Sequence, residues 1–295
     1  MGFIGYVALV HESTVSIGGR KISNLRFADD IDGLAGSEKE LSDLIYRHNR
    51  SCNAYGMEIS AEKTKIMTNS HANGLQNDIS VNGKVLQCVD QFLYLGALVT
   101  DNGSKSEILS RMAKAQSSLS KLKVVWNDKN ISISSKLRLL RSMVISVFLY
   151  ACEAWTLDAY LEQRIASFEM RCLRQLLGID YRSHTPNVKV RAIVTEAIGK
   201  HQELLEIVKS RKLKWFGHTT RSHGLAKTCL QGTVSGGRSR GRPRKKWADN
   251  VKDWTGLSFA EATRAAECRV GWRGLVREAA SSSGPLQRRA ALREQ

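Results

Sequence analysis

Apolar and polar positions alternate in short runs over the first hundred residues, a pattern typical of strands. Two such runs lie on either side of an Asp-rich turn in KISNLRFADDIDGLAG, residues 21–36, which predicts a β-hairpin. Ser37 and Glu40 form a capping box, and the apolar spacing after them predicts a helix that ends at Gly56. Asn82 and the glycine after it favour a type I′ turn, which predicts a second hairpin.

From Ser104 onward the apolar residues recur at helical spacing, after a second capping box formed by Ser104 and Glu107. Residues 228–243 are rich in Gly, Ser and Arg and lack an apolar period, which predicts a flexible linker. The expected fold class is therefore α+β, with a small antiparallel sheet at the N-terminal end and helices after it. The further predicted helices span 134–155, 158–177, 187–198, 201–215, 244–254 and 258–280, the last with a third capping box at Ser258 and Glu261.

Positive charge accumulates along the chain, whose formal net charge is +17. Residues 1–100 have 9 basic and 11 acidic side chains, residues 101–200 have 16 and 9, and residues 201–295 have 20 and 8. Such a basic region attracts polyanions by counterion release, and nucleic acid is the commonest polyanion inside cells. A solubilising basic tail is the alternative.

The composition excludes several classes of protein. A hydrophobic content of 42% with 25% charged residues is typical of a globular chain. No apolar run approaches the roughly 20 residues of a membrane-spanning helix, and the N-terminal residues lack the basic and small-residue features of a secretory signal. Six cysteines without a CxxC pair predict reduced, mostly buried thiols, so we expect a nuclear and cytoplasmic protein with no membrane partner.

Two neighbouring carboxylates, Asp29 and Asp30, lie on the turn of the first predicted hairpin. Carboxylate oxygens are preferred ligands of Mg²⁺ or Mn²⁺, and rigidly held carboxylates bind the cations used in phosphoryl transfer. An ordinary Asp-rich turn also accounts for the tetrapeptide FADD. The motif by itself leaves both interpretations open.

Three segments of the first hundred residues follow in the order RFADDIDGLAGSEKEL, GMEISAEKTKIM and FLYLGALVT, and the basic segments RKLKWFGHTTR and GRSRGRPRKKWADNVKDW come later. In this order they resemble the reverse transcriptase of non-LTR (LINE-type) retrotransposons. The first segment is similar to the catalytic hairpin and its helix, the second to the next palm motif, and the third to the primer-grip hairpin. The resemblance covers about residues 21–254 and departs at Ser60, where the family has Asn.

The resemblance implies a partial polymerase palm at residues 1–100 and a helical, thumb-like domain at 101–180. A basic C-terminal region would follow at 181–295, with the linker at 228–243. The activity implied is RNA-directed DNA polymerisation, a metal-dependent nucleotidyl transfer, with an RNA template and a DNA primer as partners. The alternative is a non-catalytic remnant that binds nucleic acid through its basic C-terminal region.

The same resemblance assigns roles to palm residues. Asp29 and Asp30 would be the catalytic, metal-binding carboxylates, with Phe27 packing beside them. Lys63 or Lys65 would lie near the incoming triphosphate, where an ammonium offsets the charge of the leaving pyrophosphate. A solvated lysine at a strand edge is the alternative for this position.

The primer grip implied by the resemblance consists of Phe92, Leu93, Tyr94, Leu95 and Gly96. Gly96 would allow the backbone to approach the primer closely. Packing in the core is the alternative role for the aromatic side chains.

The family has a further metal-binding Asp upstream of the catalytic hairpin. Only 28 residues precede Asp29, and Glu12 is the one acidic residue among them. We therefore expect this chain to be inactive in primer extension on poly(rA)/oligo(dT), and to use Mg²⁺ or Mn²⁺ only if the missing palm Asp is supplied.

A run of basic residues with an Arg-Gly-Arg-Pro core resembles an AT-hook. Gly and Pro keep such a backbone slim, and Arg side chains enter the minor groove of A·T tracts, so duplex DNA is an expected partner. The run is also a candidate nuclear-localisation signal, and a solvated linker is the alternative. The predicted nucleic-acid-binding residues are Arg238, Arg240, Arg242, Arg244, Lys245 and Lys246.

His218, His223 and Cys229 invite a zinc interpretation, but their spacing and the distant fourth candidate, Cys268, argue against it. The six tryptophans are expected mainly to anchor the core, although stacking on unpaired bases is an alternative.

Overall fold

The computed structural model describes residues 15–68, 78–100, 103–232 and 244–281. Contacts divide the chain into two compact units. Unit 1 consists of the described residues of 1–92 and 222–242, and unit 2 of those of 93–221 and 243–295. The predicted α+β class, with a helical C-terminal region, is confirmed.

The strands are short and pair in twos. β1 pairs with β2, β3 with β4, β6 with β7 and β9 with β10, each across a tight turn, whereas β5 and β8 run parallel. Within the described residues, the predicted small antiparallel sheet is thus replaced by separate pairs of strands, each strand having two to four residues. The strands are β1 (Ser16–Ile17), β2 (Arg20–Lys21), β3 (Asn24–Phe27), β4 (Asp30–Gly33), β5 (Lys65–Ile66), β6 (Ser80–Val81), β7 (Lys84–Val85), β8 (Gln87–Cys88), β9 (Gln91–Tyr94) and β10 (Ala97–Thr100).

Helix α1 (Glu38–Ala54) is the scaffold of unit 1. Ser37 caps it as predicted, since its Oγ accepts a hydrogen bond from the Glu40 backbone N–H. The Glu40 carboxylate closes the cap by accepting from the Gly36 N–H at 2.9 Å. A small apolar core made of Ile66, Ile79, Val81 and Leu86 packs with partly buried Leu41 and Ile45 of α1.

Unit 2 contains the helices that follow residue 104, while α9 belongs to unit 1. The predicted helices at 158–177 and 187–198 are confirmed, and the one predicted at 201–215 continues six residues further. The helices are α2 (Lys105–Lys121), α3 (Lys123–Asn127), α4 (Ile133–Leu139), a π-helical segment (Leu140–Ile145), α5 (Ser146–Phe148), α6 (Ala159–Leu177), α7 (Asn187–Ile198), α8 (Leu204–Arg221), α9 (Leu225–Gln231), α10 (Trp247–Thr255), α11 (Phe259–Glu267) and α12 (Arg269–Ala280), with 3₁₀ turns at Cys152–Ala154 and Tyr181–Ser183.

The single helix predicted at 134–155 is wrong in its last part, because helical structure ends at Phe148. Ala151 adopts a left-handed conformation with φ of 56°, and the chain then turns into an extended stretch at Trp155. This turn buries the Trp155 side chain and leaves its carbonyl to accept a hydrogen bond from Lys212. Tertiary packing therefore overrides the local helical pattern.

The capping box predicted at Ser104 is also wrong. Ser104 has helical dihedral angles, and its Oγ accepts from the Thr156 N–H instead of from its own helix. Glu107 bonds to the Leu98 N–H and to Arg111. The third box, at Ser258 and Glu261, is confirmed, and the helix predicted at 258–280 is divided at Cys268.

Two further predictions differ from the structure. The linker predicted at 228–243 is wrong for its first residues, since α9 extends to Gln231, and residues 233–243 lie outside the described part. The cysteines are all free, but only Cys52, Cys152 and Cys172 are buried. Burial is the largest cause of a shift that raises the pKa of the Cys152 and Cys172 thiols to about 12.

No helix in the described ranges is both long and apolar enough to cross a membrane.

Candidate functional site

The Asp-bearing hairpin forms where the sequence predicted it. β3 and β4 pair with Phe27 opposite Asp30, so the connecting turn has only Ala28 and Asp29 at its centre. Ala28 has φ of 52°, a conformation that non-glycine residues adopt at an energetic cost. Such strain is commonest at functional sites, where the surrounding structure holds it in place.

The side chains at the tip of this hairpin are exposed to solvent. Asp29, Asp30 and Phe27 are all exposed, Phe27 by 61%. The side chains of Asp29 and Asp30 form no ion pair with another described residue. Two adjacent, unneutralised carboxylates can supply oxygen ligands to a divalent cation, which completes its shell with water.

Helix α1 packs against the last strand of the hairpin. The Cα of Gly33, the last residue of β4, lies so close to α1 that a Cβ there would come within 3.0 Å of Leu44 Cδ2. The hairpin is also extended by a hydrogen bond from the Leu34 N–H to the Ser23 carbonyl. A capped helix therefore fixes the strand that begins with Asp30.

The two candidate lysines have different surroundings. Lys63 is exposed in the turn before β5. Lys65 lies in β5 and donates from Nζ to Gln87 Oε1 at 2.8 Å. Lys63 is the one of the two whose ammonium has no hydrogen-bond partner among the described residues.

The predicted primer-grip segment forms the β9–β10 hairpin, with Leu95 and Gly96 at its turn and φ of 46° and 79°. Phe92 and Tyr94 are half-buried, and Leu93 is exposed. The turn is held by α2 and by Tyr150, whose hydroxyl donates to the Leu95 carbonyl at 2.6 Å.

Arg111 of α2 is the second anchor of this turn. Its guanidinium donates to the Gly96 carbonyl, pairs with Glu107 at 2.6 Å and lies 4.3 Å from the centre of the Tyr150 ring. A Cβ at Gly96 would stand 3.4 Å from the Tyr150 hydroxyl. Tyr150 thus occupies the side of Gly96 that the absent side chain leaves open, and contact of this turn with a primer stays a prediction.

Comparison with curated proteins shows similarity to a transposon-derived protein. It is an uncharacterized transposon-derived protein of Caenorhabditis elegans, 27% identical over 288 residues, which cover 90% of this chain and 99% of the relative. This similarity points to a transposon-related origin. No protein-family model matches the chain, and no solved structure does.

The predicted basic run is described only in part. Arg238, Arg240 and Arg242 lie outside the described residues. Arg244, Lys245 and Lys246 are exposed and lead directly into α10. Lys245 pairs with Asp253 at 2.8 Å, while the Lys246 N–H donates to Asp249 and so starts the helix.

Trp247, the first residue of α10, follows Arg244, Lys245 and Lys246 directly and packs against other residues of unit 2. Its indole N–H donates to the Glu153 carbonyl at 2.9 Å, and its ring packs edge-on against Trp215 and stacks on Phe216. The prediction that tryptophans anchor the core is confirmed for Trp126, Trp155, Trp254 and Trp272, all buried, whereas Trp215 is 39% exposed.

Sequence reasoning missed a buried lysine next to this anchor. Lys212 is fully buried, and its ammonium donates to the Trp155 carbonyl and to Asn250 Oδ1 while lying 4.4 Å from the centre of the Trp247 ring. The sequence contained one indication of this burial. Lys212 is four residues from both Val208 and Phe216, so the helical period places it on the apolar side of α8.

The described ranges contain no group of three His, Cys, Asp or Glu side chains that could hold a metal ion. His218, His223 and Cys229 therefore do not form such a group.

Proposed function

We propose that this chain is part of an RNA-directed DNA polymerase of the non-LTR retrotransposon type, from the catalytic hairpin of the palm onward. In the reaction, the 3′ hydroxyl of a DNA primer attacks the α-phosphorus of a deoxynucleoside triphosphate, so that a phosphodiester bond forms and pyrophosphate leaves. The transposon-derived relative supports the retrotransposon part of the proposal. The observation that carries it is the tight turn that exposes the two consecutive residues Asp29 and Asp30.

The donor set of this turn fits a hard divalent cation. Asp29 and Asp30 would hold Mg²⁺ or Mn²⁺, which prefer carboxylate oxygens. When bound, the cation supplies charge neutralisation at the reacting phosphate. Two carboxylates make only part of a two-metal site, so the proposed reaction would need a further carboxylate, the role that the resemblance gives to another palm Asp.

The lysines differ in what they can do in this reaction. Lys65 is engaged by Gln87, whereas the Lys63 ammonium is solvated and can meet the triphosphate of an incoming nucleotide. A cation at this position would offset the negative charge that develops on the leaving pyrophosphate. We therefore propose Lys63 for this role.

Iron-directed cleavage tests the proposal without requiring catalysis. Fe²⁺ replaces Mg²⁺ in such sites and, with ascorbate and peroxide, generates radicals that cut nucleic acid next to the bound ion. The chain is mixed with a poly(rA)/oligo(dT) hybrid labelled on the primer. We expect cleavage centred on the primer 3′ end, suppressed by excess Mg²⁺ and lost in Asp29→Asn/Asp30→Asn.

The matched control is Asp43→Asn/Asp78→Asn, which removes two exposed carboxylates elsewhere in unit 1. It should cleave like the wild-type chain. Cleavage spread evenly along the primer, or equal cleavage by both double variants, would overturn the polymerase proposal.

Even cleavage would instead favour the second candidate function, a non-catalytic nucleic-acid-binding remnant. The exposed Arg244 and Lys246 before α10 support binding through the basic C-terminal region. The same basic run would serve for nuclear import, so a nuclear and cytoplasmic location is part of the proposal.

A further inference from the structure

A groove lined by cationic side chains runs between α8 and α12 in unit 2. Its volume is about 600 Å³, and no residue that lines it is acidic. Basic side chains on both helices face it, with three contributed by each. They are Lys214, His218 and Arg221 from α8, and Arg269, Arg273 and Arg277 from α12.

The charges in the groove are not neutralised by the described part of the protein. Other cations of unit 2 do have carboxylate partners, as Lys209 has Glu162 and Arg211 has Glu153. None of the six groove residues forms an ion pair with a described carboxylate. Five are exposed and Arg221 is half-buried, so the groove presents its charge to solvent.

Arg269 adds an independent argument. It is the first residue of α12, where the helix dipole disfavours a cation, and the first turn of α12 has no acidic residue to compensate. Arg269 therefore does not stabilise its own helix. A ligand with negative charge would supply the missing partner.

The floor of the groove is rigid. Trp272 of α12 lies against Gly217 of α8, and a Cβ at Gly217 would come within 2.3 Å of the indole ring. The Trp272 indole N–H donates to the Leu213 carbonyl at 2.9 Å. The two helices can approach this closely only because residue 217 is glycine, so the backbones that carry the basic side chains pack directly against each other.

The spacing of the arginines suits a polymer of phosphates. Arg269, Arg273 and Arg277 follow one another at four-residue intervals, a rise of about 6 Å for each step along one face of α12. That rise is similar to the separation of neighbouring phosphates along a nucleic-acid strand. Guanidinium groups also bind phosphate oxygens in a bidentate manner.

We propose that the α8–α12 groove binds the phosphodiester backbone of a single strand of nucleic acid. A single strand can lie between two cationic walls, whereas a duplex is too wide to enter and would contact only the rims. The groove is separate from the Asp29 and Asp30 hairpin, so this proposal does not depend on polymerase activity.

The test measures binding of fluorescently labelled 20-nucleotide oligo(U) and oligo(dT), and of a duplex of the same length, by anisotropy over a range of salt concentrations. The variant is Arg269→Gln/Arg273→Gln/Arg277→Gln. We expect it to bind the single strands about tenfold or more weakly, because three charge-assisted contacts are lost. The slope of log affinity against log salt should fall by about 2, since each phosphate contact on a single strand contributes about 0.7.

Two controls separate a specific groove from general positive charge. Lys114→Gln/Arg164→Gln/Arg171→Gln removes three exposed cations from α2 and α6, and it should bind like the wild-type chain. Arg269→Lys/Arg273→Lys/Arg277→Lys keeps the charge and should keep most of the salt slope. The binding assay contains no divalent cation and no nucleotide, so its outcome does not depend on the Asp29 and Asp30 site, which separates this proposal from the polymerase proposal.

Each outcome decides the proposal. Tighter binding of oligo(U) than of oligo(dT) would support it with RNA as the ligand, and the reverse would support it with single-stranded DNA. Equal weakening by both triple Gln variants, tighter binding of the duplex, or displacement by poly-glutamate as effective as by unlabelled oligo(U) would overturn it.

Discussion

The buried Lys212 gives the structure a pH-dependent stability that can be measured. Its ammonium is enclosed by the Trp155 carbonyl at 2.6 Å, Asn250 Oδ1 at 2.9 Å and the face of Trp247. Asn250 is itself fixed, since its amide exchanges hydrogen bonds with the backbone N–H and carbonyl of Leu157. This group joins α8, α10 and the turn after residue 151 in one buried cluster.

Burial, and secondly the charge of Lys245, lowers the pKa of Lys212 from 10.5 to about 7, while Asp249 acts in the opposite direction. Below pH 7 the lysine is charged in both the folded and the unfolded chain, and the cost of burying the charge is fully present. Between pH 7 and 10.5 the unfolded chain binds more protons, so the free energy of unfolding rises with pH. At about 1.4 kcal/mol for each pKa unit, the rise from pH 6 to pH 9 is about 2.5 kcal/mol.

Urea unfolding of the wild-type chain and of Lys212→Met at pH 6, 7, 8 and 9 tests this prediction. Methionine has a similar length and no charge, and all other titrating groups are shared, so the difference between the two proteins isolates Lys212. We expect the free energy of unfolding of the wild-type chain, relative to that of the variant, to rise by about 2.5 kcal/mol between pH 6 and pH 9. Lys214→Met, which removes an exposed lysine of the same helix, is the control and should show no such gain. A difference between wild type and Lys212→Met that stays constant with pH would refute the reasoning.

Three smaller perturbations test other parts of the structure. Leu95→Gly should raise the free energy of unfolding by about 1 kcal/mol, because glycine adopts the left-handed conformation at φ of 46° without strain. A free energy of unfolding below that of the wild-type chain would mean that the leucine side chain packs better than its 38% exposure indicates. Gly217→Ala should lower the free energy of unfolding by about 1–3 kcal/mol and weaken single-strand binding, because the methyl group collides with Trp272. Wild-type stability together with wild-type single-strand binding would contradict the close helix packing. Ser258→Ala should lower the free energy of unfolding by about 1 kcal/mol, because the helix loses its cap. The Ser258 hydroxyl and N–H hold the pKa of Glu261 below its usual value, so the variant should raise this pKa in an NMR titration. An unchanged pKa of Glu261 would refute the capping geometry.

Features set by local chemistry could be predicted from the sequence. The turn at Asn82 and the hairpin at Asp29 depend on residues within a few positions of one another, and both form as expected. Features that depend on distant partners could not be predicted. Ser104 reads locally as a helix cap, but the Thr156 N–H competes for its hydroxyl, and the chain turns at Ala151 because Trp155 has a place in the core.

The same distinction applies to the candidate sites. The exposed carboxylates and the basic run were visible as sequence motifs, although their roles remain predictions. The α8–α12 groove was not visible, because its two walls are about 50 residues apart in sequence and meet through the contact of Trp272 with Gly217. The one local signal was the recurrence of arginine at 269, 273 and 277, which marks a single charged helix face.

The central claim is that Asp29 and Asp30 together bind a divalent cation. Mn²⁺ titration followed by electron paramagnetic resonance, in the presence of a poly(rA)/oligo(dT) hybrid, tests it most directly. We expect one Mn²⁺ to bind per chain. Asp29→Asn/Asp30→Asn should lose this ion, and Asp43→Asn/Asp78→Asn should keep it. Equal Mn²⁺ binding by both double variants would contradict it.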